Sequence, residues 1–135
     1  MTAQSRFLAH GVVFGGKVRK PFQDYQMLKI EALLVSNCVM EISEALREIE
    51  VGGMTVGKVR GRGKHKPAKL HAAKGSELFQ PQFSDRYIMT IIIPESKEDA
   101  VINILKTKGT GGKIFVSPIS RAIDITSGLE GEKTI

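Results

Sequence analysis

Two short glycine-rich segments with basic neighbours are the features of this sequence most suited to binding an anion. The first, Arg60–Lys64, reads R-G-R-G-K, and the second, Gly109–Lys113, reads G-T-G-G-K. Glycine lets main-chain N–H groups approach an anion closely, and a neighbouring lysine or arginine adds positive charge. Because the same composition is also typical of turns on a basic surface, spacing alone leaves the two interpretations equally open.

A third segment, Gly11–Lys17, has the G-x-x-x-x-G-K spacing of a phosphate-binding loop. In such a loop a strand precedes the first glycine, and the residue after the lysine is a Ser or Thr that binds magnesium. Here Val18 follows the lysine, and no strand is predicted before Gly11. We therefore expect residues 1–26 to be a basic N-terminal extension. It could add a strand or a helix, bind a partner or be disordered.

No arrangement of side chains indicates catalysis or a metal site. The histidines, His10, His65 and His71, fall in predicted loops. The single cysteine, Cys38, falls at a predicted helix start, where we expect a half-buried structural thiol. One cysteine and three scattered histidines give no metal-ligand spacing. The sequence therefore predicts no catalytic residues, no metal and no enzymatic activity.

Positive charge is concentrated in two segments of the chain. The formal net charge is +6, and residues 1–26 hold four basic side chains against one acidic. Residues 61–83 hold five against one, and the remainder holds 11 against 12. A basic segment is typical of nucleic-acid binding, so a nucleic-acid-binding accessory protein that uses Arg62–Lys74 is an alternative function. Aromatic residues are only 6% of the chain and tryptophan is absent, which leaves few platforms for stacking bases.

The longest apolar stretch, Ile88–Pro94, is too short to span a bilayer, and no signal-peptide pattern opens the chain. A lone cysteine fits a reducing compartment. We expect a cytoplasmic protein.

Hydrophobic periodicity predicts two β-α-β units that are separated by a long basic loop. Two such units form the split sheet of an α+β, ferredoxin-like βαββαβ sandwich. The predicted strands are 27–35, 54–60, 87–93, 113–116 and 122–125. The first predicted helix starts at Ser36–Asn37 and ends at Gly52–Gly53. The second starts at an S-x-x-D capping box at 96–99 and ends at Gly109.

The loop at about 61–83 lacks periodicity and is rich in glycine, proline and lysine. A structureless segment of this length is uncommon in a compact domain unless it is functional, and we predict a functional loop. Several strands are apolar on both faces, whereas helices would cover only one face of the sheet. We therefore expect a homo-oligomer that buries the second face.

Residues 27–135 resemble the PII nitrogen-regulatory family. Met27–Leu34 is similar to its opening strand, and Gly52–Lys64 to its G-M-T-V-x-x-V-x-G-F-G-R segment. Gly112–Ile123 is similar to G-K-I-F-V-x-x-V-x-x-x-I, and Ser127–Glu132 to the T-G-E-x-G-E tail. The loop at 61–83 takes the place of the family's flexible T-loop. The chain therefore resembles a PII-like domain at 27–135, preceded by the extension at 1–26.

The resemblance implies a homotrimer that binds ATP or ADP in clefts between subunits and senses an effector. It implies that the T-loop docks on a membrane transporter or on a regulatory or metabolic protein. Lys64, Lys66, Lys69 and Lys74 are the expected partner contacts. The positions that correspond to the family's effector site are Leu33, Thr55, Gly61, Gly63, Lys64, His65, Arg86, Gly111, Gly112 and Lys113.

Several of these positions depart from the family pattern. His65 replaces the T-loop glutamine that helps to hold magnesium and 2-oxoglutarate, and Thr110–Lys113 lacks the aspartate of G-D-G-K. Asp124 and Thr126 replace two arginines, and Thr90 replaces a strand glutamate that would face the adenine. We therefore expect a response to ATP or ADP that is weak, altered in specificity or absent, and no binding of 2-oxoglutarate or magnesium in the usual mode.

Overall fold

The computed structural model describes residues 7–8, 11–14, 17–19, 22, 25–64, 70–71, 78–79 and 82–135. It contains two α-helices and two short 3-10 turns within this part of the chain. The helices are α1 (Val39–Glu48) and α2 (Glu98–Lys108), and the 3-10 turns are Glu95–Lys97 and Glu132–Thr134. The strands are β1 (Phe7–Leu8), β2 (Gly11–Phe14), β3 (Lys17–Arg19), β4 (Met27–Leu34), β5 (Thr55–Gly61), β6 (Leu70–His71), β7 (Leu78–Phe79), β8 (Ser84–Pro94) and β9 (Gly112–Ile119).

The central sheet has the strand order β5-β8-β4-β9, and all of its neighbouring strands are antiparallel. Helix α1 connects β4 to β5, and α2 connects β8 to β9. This order and connectivity confirm the predicted ferredoxin-like α+β fold. Strand β4 is central because it pairs along its whole length with both β8 and β9, from Met27 to Leu34.

The core lies between one face of this sheet and the two helices. Successive side chains of a strand point to opposite faces, so the buried residues of β4 and β8 alternate along the chain. Helices α1 and α2 each contribute residues at a spacing of four, which places them on one side of the helix. These core residues are Leu28, Ile30, Ala32, Leu34, Met89, Ile91, Ile93, Ile42, Leu46, Val101 and Leu105.

The opposite face of the sheet carries apolar side chains that no helix of the described chain covers. The cross-strand register places Leu33 next to Ile88 and Lys113, and Glu31 next to Thr90 and Phe115. The Phe115 side chain is 51% exposed. We refer to this surface as the open face.

Helix α1 ends in a left-handed residue that is not glycine. Glu50 has a φ of 62°. The main-chain N–H groups of Glu50 and Val51 donate to the carbonyl oxygens of Arg47 (3.0 Å) and Leu46 (2.9 Å). This paired return of N–H groups is a Schellman motif, in which the left-handed position is usually glycine.

The side chain of Lys97 stabilises this helix end from outside. Its Nζ donates to the carbonyl oxygens of Ile49 (2.8 Å) and Glu50 (2.9 Å). A positive charge at a helix C-terminus is favourable because the terminal carbonyls carry partial negative charge. Lys97 therefore holds the end of α1 against the turn that precedes α2.

Replacing Glu50 with glycine should raise the free energy of unfolding by about 0.5–1 kcal/mol, because the side chain at a left-handed position is strained. The measurement is the midpoint of urea denaturation at unchanged slope. The matched control is Glu44→Gly, at an exposed position inside α1. That change should lower the free energy of unfolding by about 1 kcal/mol. A lower midpoint for Glu50→Gly would contradict this account of the helix end.

Four predictions about secondary structure are wrong. Ser96 does not cap the second helix, because the chain forms a 3-10 turn at Glu95–Lys97 and α2 begins at Glu98 without a side-chain capping bond. No strand forms at residues 122–125, where only the isolated bridge between Ile123 and Glu130 occurs. The Ile125 side chain is fully exposed, so the alternation of apolar and polar residues at 122–125 does not correspond to a buried face of a strand.

The third error concerns the segment at 61–83, which was predicted to have no regular structure. Strand β5 continues to Gly61, and β6 pairs with β7 inside the segment. In the extension at 1–26, strands β1, β2 and β3 form a separate antiparallel sheet. The fourth error is the predicted absence of a strand before Gly11, because β1 precedes it. Gly11 itself starts β2 and Lys17 starts β3, which is not the strand–loop–helix arrangement of a phosphate-binding loop.

Candidate effector-binding site

The loop that leads into β9 lies directly against the end of β4. Gly111 and Gly112 have φ angles of 150° and 121°, which side chains rarely adopt. A Cβ atom on Gly112 would overlap the carbonyl oxygen of Leu33, and one on Gly111 would lie 2.7 Å from Cγ2 of Val35. Only glycine therefore allows this close approach of the two main chains.

This loop is fixed by contacts on both sides. The N–H of Val35 donates to the carbonyl oxygen of Gly111 (3.4 Å), and the hydroxyls of Ser36 and Thr110 are hydrogen-bonded to each other. Leu33 is paired with Lys113 across the β4–β9 ladder. Four of the expected site residues thus come together here: Leu33, Gly111, Gly112 and Lys113.

An open cavity of about 370 Å³ lies beside the loop. Its wall includes two lysines, Lys106 from α2 and Lys113 from β9, and the exposed main chain of the two glycines. Main-chain N–H groups and ammonium groups attract negative charge. The arrangement is suited to holding an anionic group such as a phosphate.

A second group of expected residues meets at the end of β5. Gly61 and Gly63 lie beside Arg86, since a Cβ on Gly61 would be 3.5 Å from Cγ of Arg86 and one on Gly63 would be 3.9 Å from its Nη2. These distances are ordinary contacts, so glycine is not sterically required here. The Arg86 guanidinium donates to the Ser84 hydroxyl and to the Asp85 carbonyl (3.1 Å). Arg86 is therefore held at the base of the loop.

A third group lies at the other end of β5. Thr55 and Thr90 are direct partners in the β5–β8 ladder. Both line a cavity of about 460 Å³, which we call the threonine cavity. Its walls are formed by Glu50, Val51, Gly52, Gly53, Met54, Thr55, Thr90, Ile92, Ile93, Pro94, Lys97 and Ile135.

The three groups do not meet within one copy of the chain. Thr55 and Gly61 are six residues apart on β5, which is about 20 Å along a strand. Strands β5 and β9 are separated by β8 and β4, which is about 14 Å across the sheet. A ligand that contacts all three groups would have to draw some of them from a second copy.

The remaining expected residues are placed as follows. Lys64 is exposed at a bend three residues after the end of β5. His65, Lys66, Lys69 and Lys74 lie outside the described residues. Cys38 is at the start of α1 and is 5% exposed, more deeply buried than expected. The part of the chain that is described contains no cluster of three His, Cys, Asp or Glu residues able to hold a metal.

Asp124 and Thr126, which stand where the family pattern has two arginines, lie in an exposed turn of the C-terminal segment. Asp124 Oδ1 accepts hydrogen bonds from the main-chain N–H (2.8 Å) and the hydroxyl (3.0 Å) of Ser127. These bonds lower the pKa of Asp124 below its ordinary value. Arg121 and Glu130 form an ion pair that raises the pKa of Arg121 and lowers that of Glu130.

The turn at Asp124 should loosen in acid. Because the folded pKa of Asp124 is depressed, its stabilising effect is complete above its ordinary pKa of 3.8 and is lost as the pH falls through the lower folded value. Amide exchange of Ser127, corrected for intrinsic pH dependence, should accelerate in that range. In Asp124→Asn the acceleration should be absent, and a pH-independent Ser127 in the parent protein would contradict the prediction.

Of the residues that line the threonine cavity, only Thr55 and Thr90 were singled out from the sequence, and Lys97 and Ile135 were missed among others. Lys97 was assigned to the interior of a capping box, whereas it lies in the 3-10 turn and reaches the end of α1. The left-handed conformation of Glu50 makes the carbonyl oxygens of Ile49 and Glu50 accessible to Lys97. No pattern in the sequence predicts this conformation.

Comparison with known proteins agrees with this description of the fold. The family model for nitrogen regulatory protein P-II matches residues 27–128. The nitrogen regulatory protein P-II of Haemophilus influenzae is 34% identical over 114 residues, which cover 81% of this chain and 100% of that protein. The P-II homolog of Arabidopsis thaliana is 34% identical over 115 residues, which cover 82% of this chain and 58% of the relative.

Solved structures show the same fold. The ATP complex of Bacillus subtilis GlnK gives a TM-score of 0.64 at 26% identity, and the match covers 82% of this chain and 98% of GlnK. Arabidopsis thaliana PII bound to citrate gives 0.62 at 29% identity, with coverage of 82% and 90%.

The sheet order and connectivity define a ferredoxin-like α+β protein with a glycine-rich loop at the start of its edge strand β9. The chain belongs to the nitrogen regulatory protein P-II family of signal-transduction regulators. Among the described residues, no helix is long and apolar enough to cross a membrane.

Proposed function

We propose that this chain is a cytoplasmic regulator that senses a small effector, an adenine nucleotide or a close analogue with altered base specificity. The observation that carries the proposal is the loop at Gly111–Gly112, whose main chain approaches β4 as only glycine allows and presents Lys113 beside it. The relative GlnK forms a complex with ATP, which supports a nucleotide as the effector of this chain.

The effector site is composite. One copy of the chain supplies the phosphate-binding loop with Leu33, and the threonine cavity of a second copy receives the base. This division follows from the distance between the groups in a single copy. The uncovered open face supplies the surface for assembly, and the resemblance to PII proteins favours a homotrimer of the domain at 27–135.

Isothermal titration calorimetry with ATP, ADP, AMP and cyclic AMP tests the proposal, each with and without magnesium and 2-oxoglutarate. We expect micromolar affinity for at least one nucleotide. Magnesium and 2-oxoglutarate should not raise that affinity, because His65 replaces the glutamine of the family pattern. No heat with any nucleotide would overturn the effector site.

The T-loop at about 61–83 is proposed to control a membrane transporter or a regulatory or metabolic protein. Reversing the charge of Lys64, Lys66, Lys69 and Lys74 together should abolish capture of the partner in a pull-down, because four attractive charges become repulsive. The control reverses Arg47 and Lys108, which are exposed on α1 and α2. That control should capture the partner as the parent protein does.

The same pull-down separates this proposal from nucleic-acid binding through Arg62–Lys74. Capture that survives nuclease treatment supports a protein partner. Capture that is lost with nuclease would replace the transporter proposal with the alternative. Unchanged capture after charge reversal would exclude the T-loop lysines from the contact.

A further inference from the structure

Strand β5 forms one edge of the central sheet and carries a row of positive side chains. Among the strands that the structure describes, β5 pairs with β8 alone. Toward the end of β5 and just beyond it, a basic residue recurs at every second position: Lys58, Arg60 and Arg62. These three residues are exposed, whereas Val59 and Gly61 between them are half-buried. We call Lys58, Arg60 and Arg62 the β5 stripe.

The β5 stripe starts on the side of the sheet that faces the helices. Directly opposed residues of two strands point to the same face, and Val56 opposes the core residue Met89. Side chains alternate between the two faces along a strand, so Lys58 and Arg60 lie on the same side as Val56. The open face is on the other side. An assembly that buries the open face therefore leaves these cations accessible.

Across the β5–β8 ladder the stripe meets one carboxylate, that of Asp85. Asp85 opposes Arg60 in the ladder and forms an ion pair with Lys58 at 3.3 Å. The side chains of Lys58 and Asp85 are 60% and 59% exposed, so water screens this pair and it contributes little. Three cations beside one carboxylate leave the stripe with an excess of positive charge.

The main chain at the edge of β5 offers a second kind of contact. In an antiparallel ladder a strand turns alternate N–H and C=O groups toward its partner, and an edge strand turns the others outward. These outward groups include both donors and acceptors. An added polypeptide strand satisfies both kinds. A phosphodiester backbone brings only acceptors and leaves the outward carbonyl groups without a partner.

The spacing of the charges determines which strand fits this edge. Lys58 and Arg60 are two residues apart, which is about 7 Å along an extended chain. Side chains on one face of an added strand repeat at the same interval, so acidic residues at alternate positions would face the cations one to one. A second copy of β5 would instead place like charges opposite each other, which is destabilising. The stripe therefore opposes pairing between copies and favours an acidic strand.

We infer that the edge of β5 is a docking site for an extended acidic segment of a partner protein, which joins the sheet as a further strand with Asp or Glu at alternate positions. Hydrogen bonds between the main chains supply the affinity, and the β5 stripe selects the charge and the register of the segment. The inference goes beyond the proposed function, because it requires no nucleotide and does not involve the lysines assigned to the T-loop contact.

Two labelled peptides of about eight residues, an ordinary strand length, test the inference by fluorescence anisotropy on the full chain without nucleotide. Both contain equal numbers of threonine and glutamate, which alternate in the first peptide and form two blocks in the second. Because their net charge is the same, electrostatic attraction alone binds them equally. We expect the alternating peptide to bind about tenfold more tightly, since several opposed pairs add up. Equal affinities overturn the inference.

A third peptide tests the main-chain hydrogen bonds. It has the alternating sequence, but its main-chain nitrogens are methylated and cannot donate. Its affinity should fall at least to that of the block peptide. If it binds as tightly as the unmethylated alternating peptide, the contact is a charge contact without strand addition, and the inference is overturned.

The variant Lys58→Gln with Arg60→Gln tests the stripe itself. It should weaken the alternating peptide about tenfold, because two exposed ion pairs are lost. The matched control, Arg47→Gln with Lys108→Gln, removes the same charge from exposed positions on α1 and α2 and should bind as the parent protein does. Equal weakening in both variants overturns the role of the stripe. If the first variant does not fold in a thermal melt, Arg60→Gln alone decides, since it keeps the pair between Lys58 and Asp85.

A single-stranded oligonucleotide of the same net charge is the last probe. The alternating peptide should bind more tightly than the oligonucleotide, because only the peptide satisfies the outward carbonyl groups of β5. If the oligonucleotide binds more tightly, and the stripe variant loses that binding, the edge is a nucleic-acid contact and the inference is overturned.

Discussion

Replacing Gly112 with alanine should destabilise the fold and abolish nucleotide binding together. The new Cβ would overlap the carbonyl oxygen of Leu33 and would lie 3.1 Å from Cα of Leu34, at a φ of 121°. Both contacts are main-chain atoms of a central strand, so relief requires β4 and β9 to separate. A strained main chain and overpacking together should cost about 2–5 kcal/mol of unfolding free energy. Urea denaturation measures this loss.

Two further variants serve as controls, one for the loss of stability and one for the loss of nucleotide binding. Gly61→Ala places a Cβ at an ordinary 3.5 Å from Arg86 and should change stability by less than about 1 kcal/mol. Lys113→Ala removes an exposed side chain and should weaken nucleotide binding by calorimetry while the denaturation midpoint stays unchanged. If Gly112→Ala is as stable as Gly61→Ala, the close approach of loop and strand is not what shapes this site.

The contrast between these two glycines also shows where sequence reasoning reaches its limit. Both lie in glycine-rich basic segments, and the composition indicated an anion-binding loop equally for both. What distinguishes them is the distance to another strand, which depends on pairing between residues about 80 positions apart. The main chain of Leu33 crowds Gly112, whereas only a flexible arginine lies beside Gly61.

The fold was predictable where burial and periodicity coincide. Strand β4 was predicted from its alternating side chains and β8 from its run of apolar residues, and in both strands the buried residues alternate in the structure. The glycines after each helix marked where the two helices end. Ile123 and Ile125 show the same alternation, but no neighbouring strand covers them. The S-x-x-D pattern failed because the residues after Pro94 form a 3-10 turn first.

Replacing Phe115 with lysine should convert the proposed trimer into monomers without unfolding the chain. Phe115 is 51% exposed on the open face, on the edge strand β9, and its direct neighbour on β4 is Glu31. A lysine there can pair with Glu31 within one copy, so the sheet is not harmed. In an assembly the same change loses about 1.5–3 kcal/mol of apolar burial per subunit and adds three like charges around the axis. Sedimentation equilibrium at micromolar concentration measures the mass.

The control for this experiment is Met40→Lys, which introduces the same charge at an apolar side chain that is 69% exposed on α1, away from the open face. It should sediment as the parent protein does. Because the composite site needs a second copy, Phe115→Lys should also lose nucleotide binding, although its own loop and cavity are intact. A monomeric variant that still binds nucleotide would show that one copy completes the site. A parent protein that is itself monomeric would remove the composite site altogether.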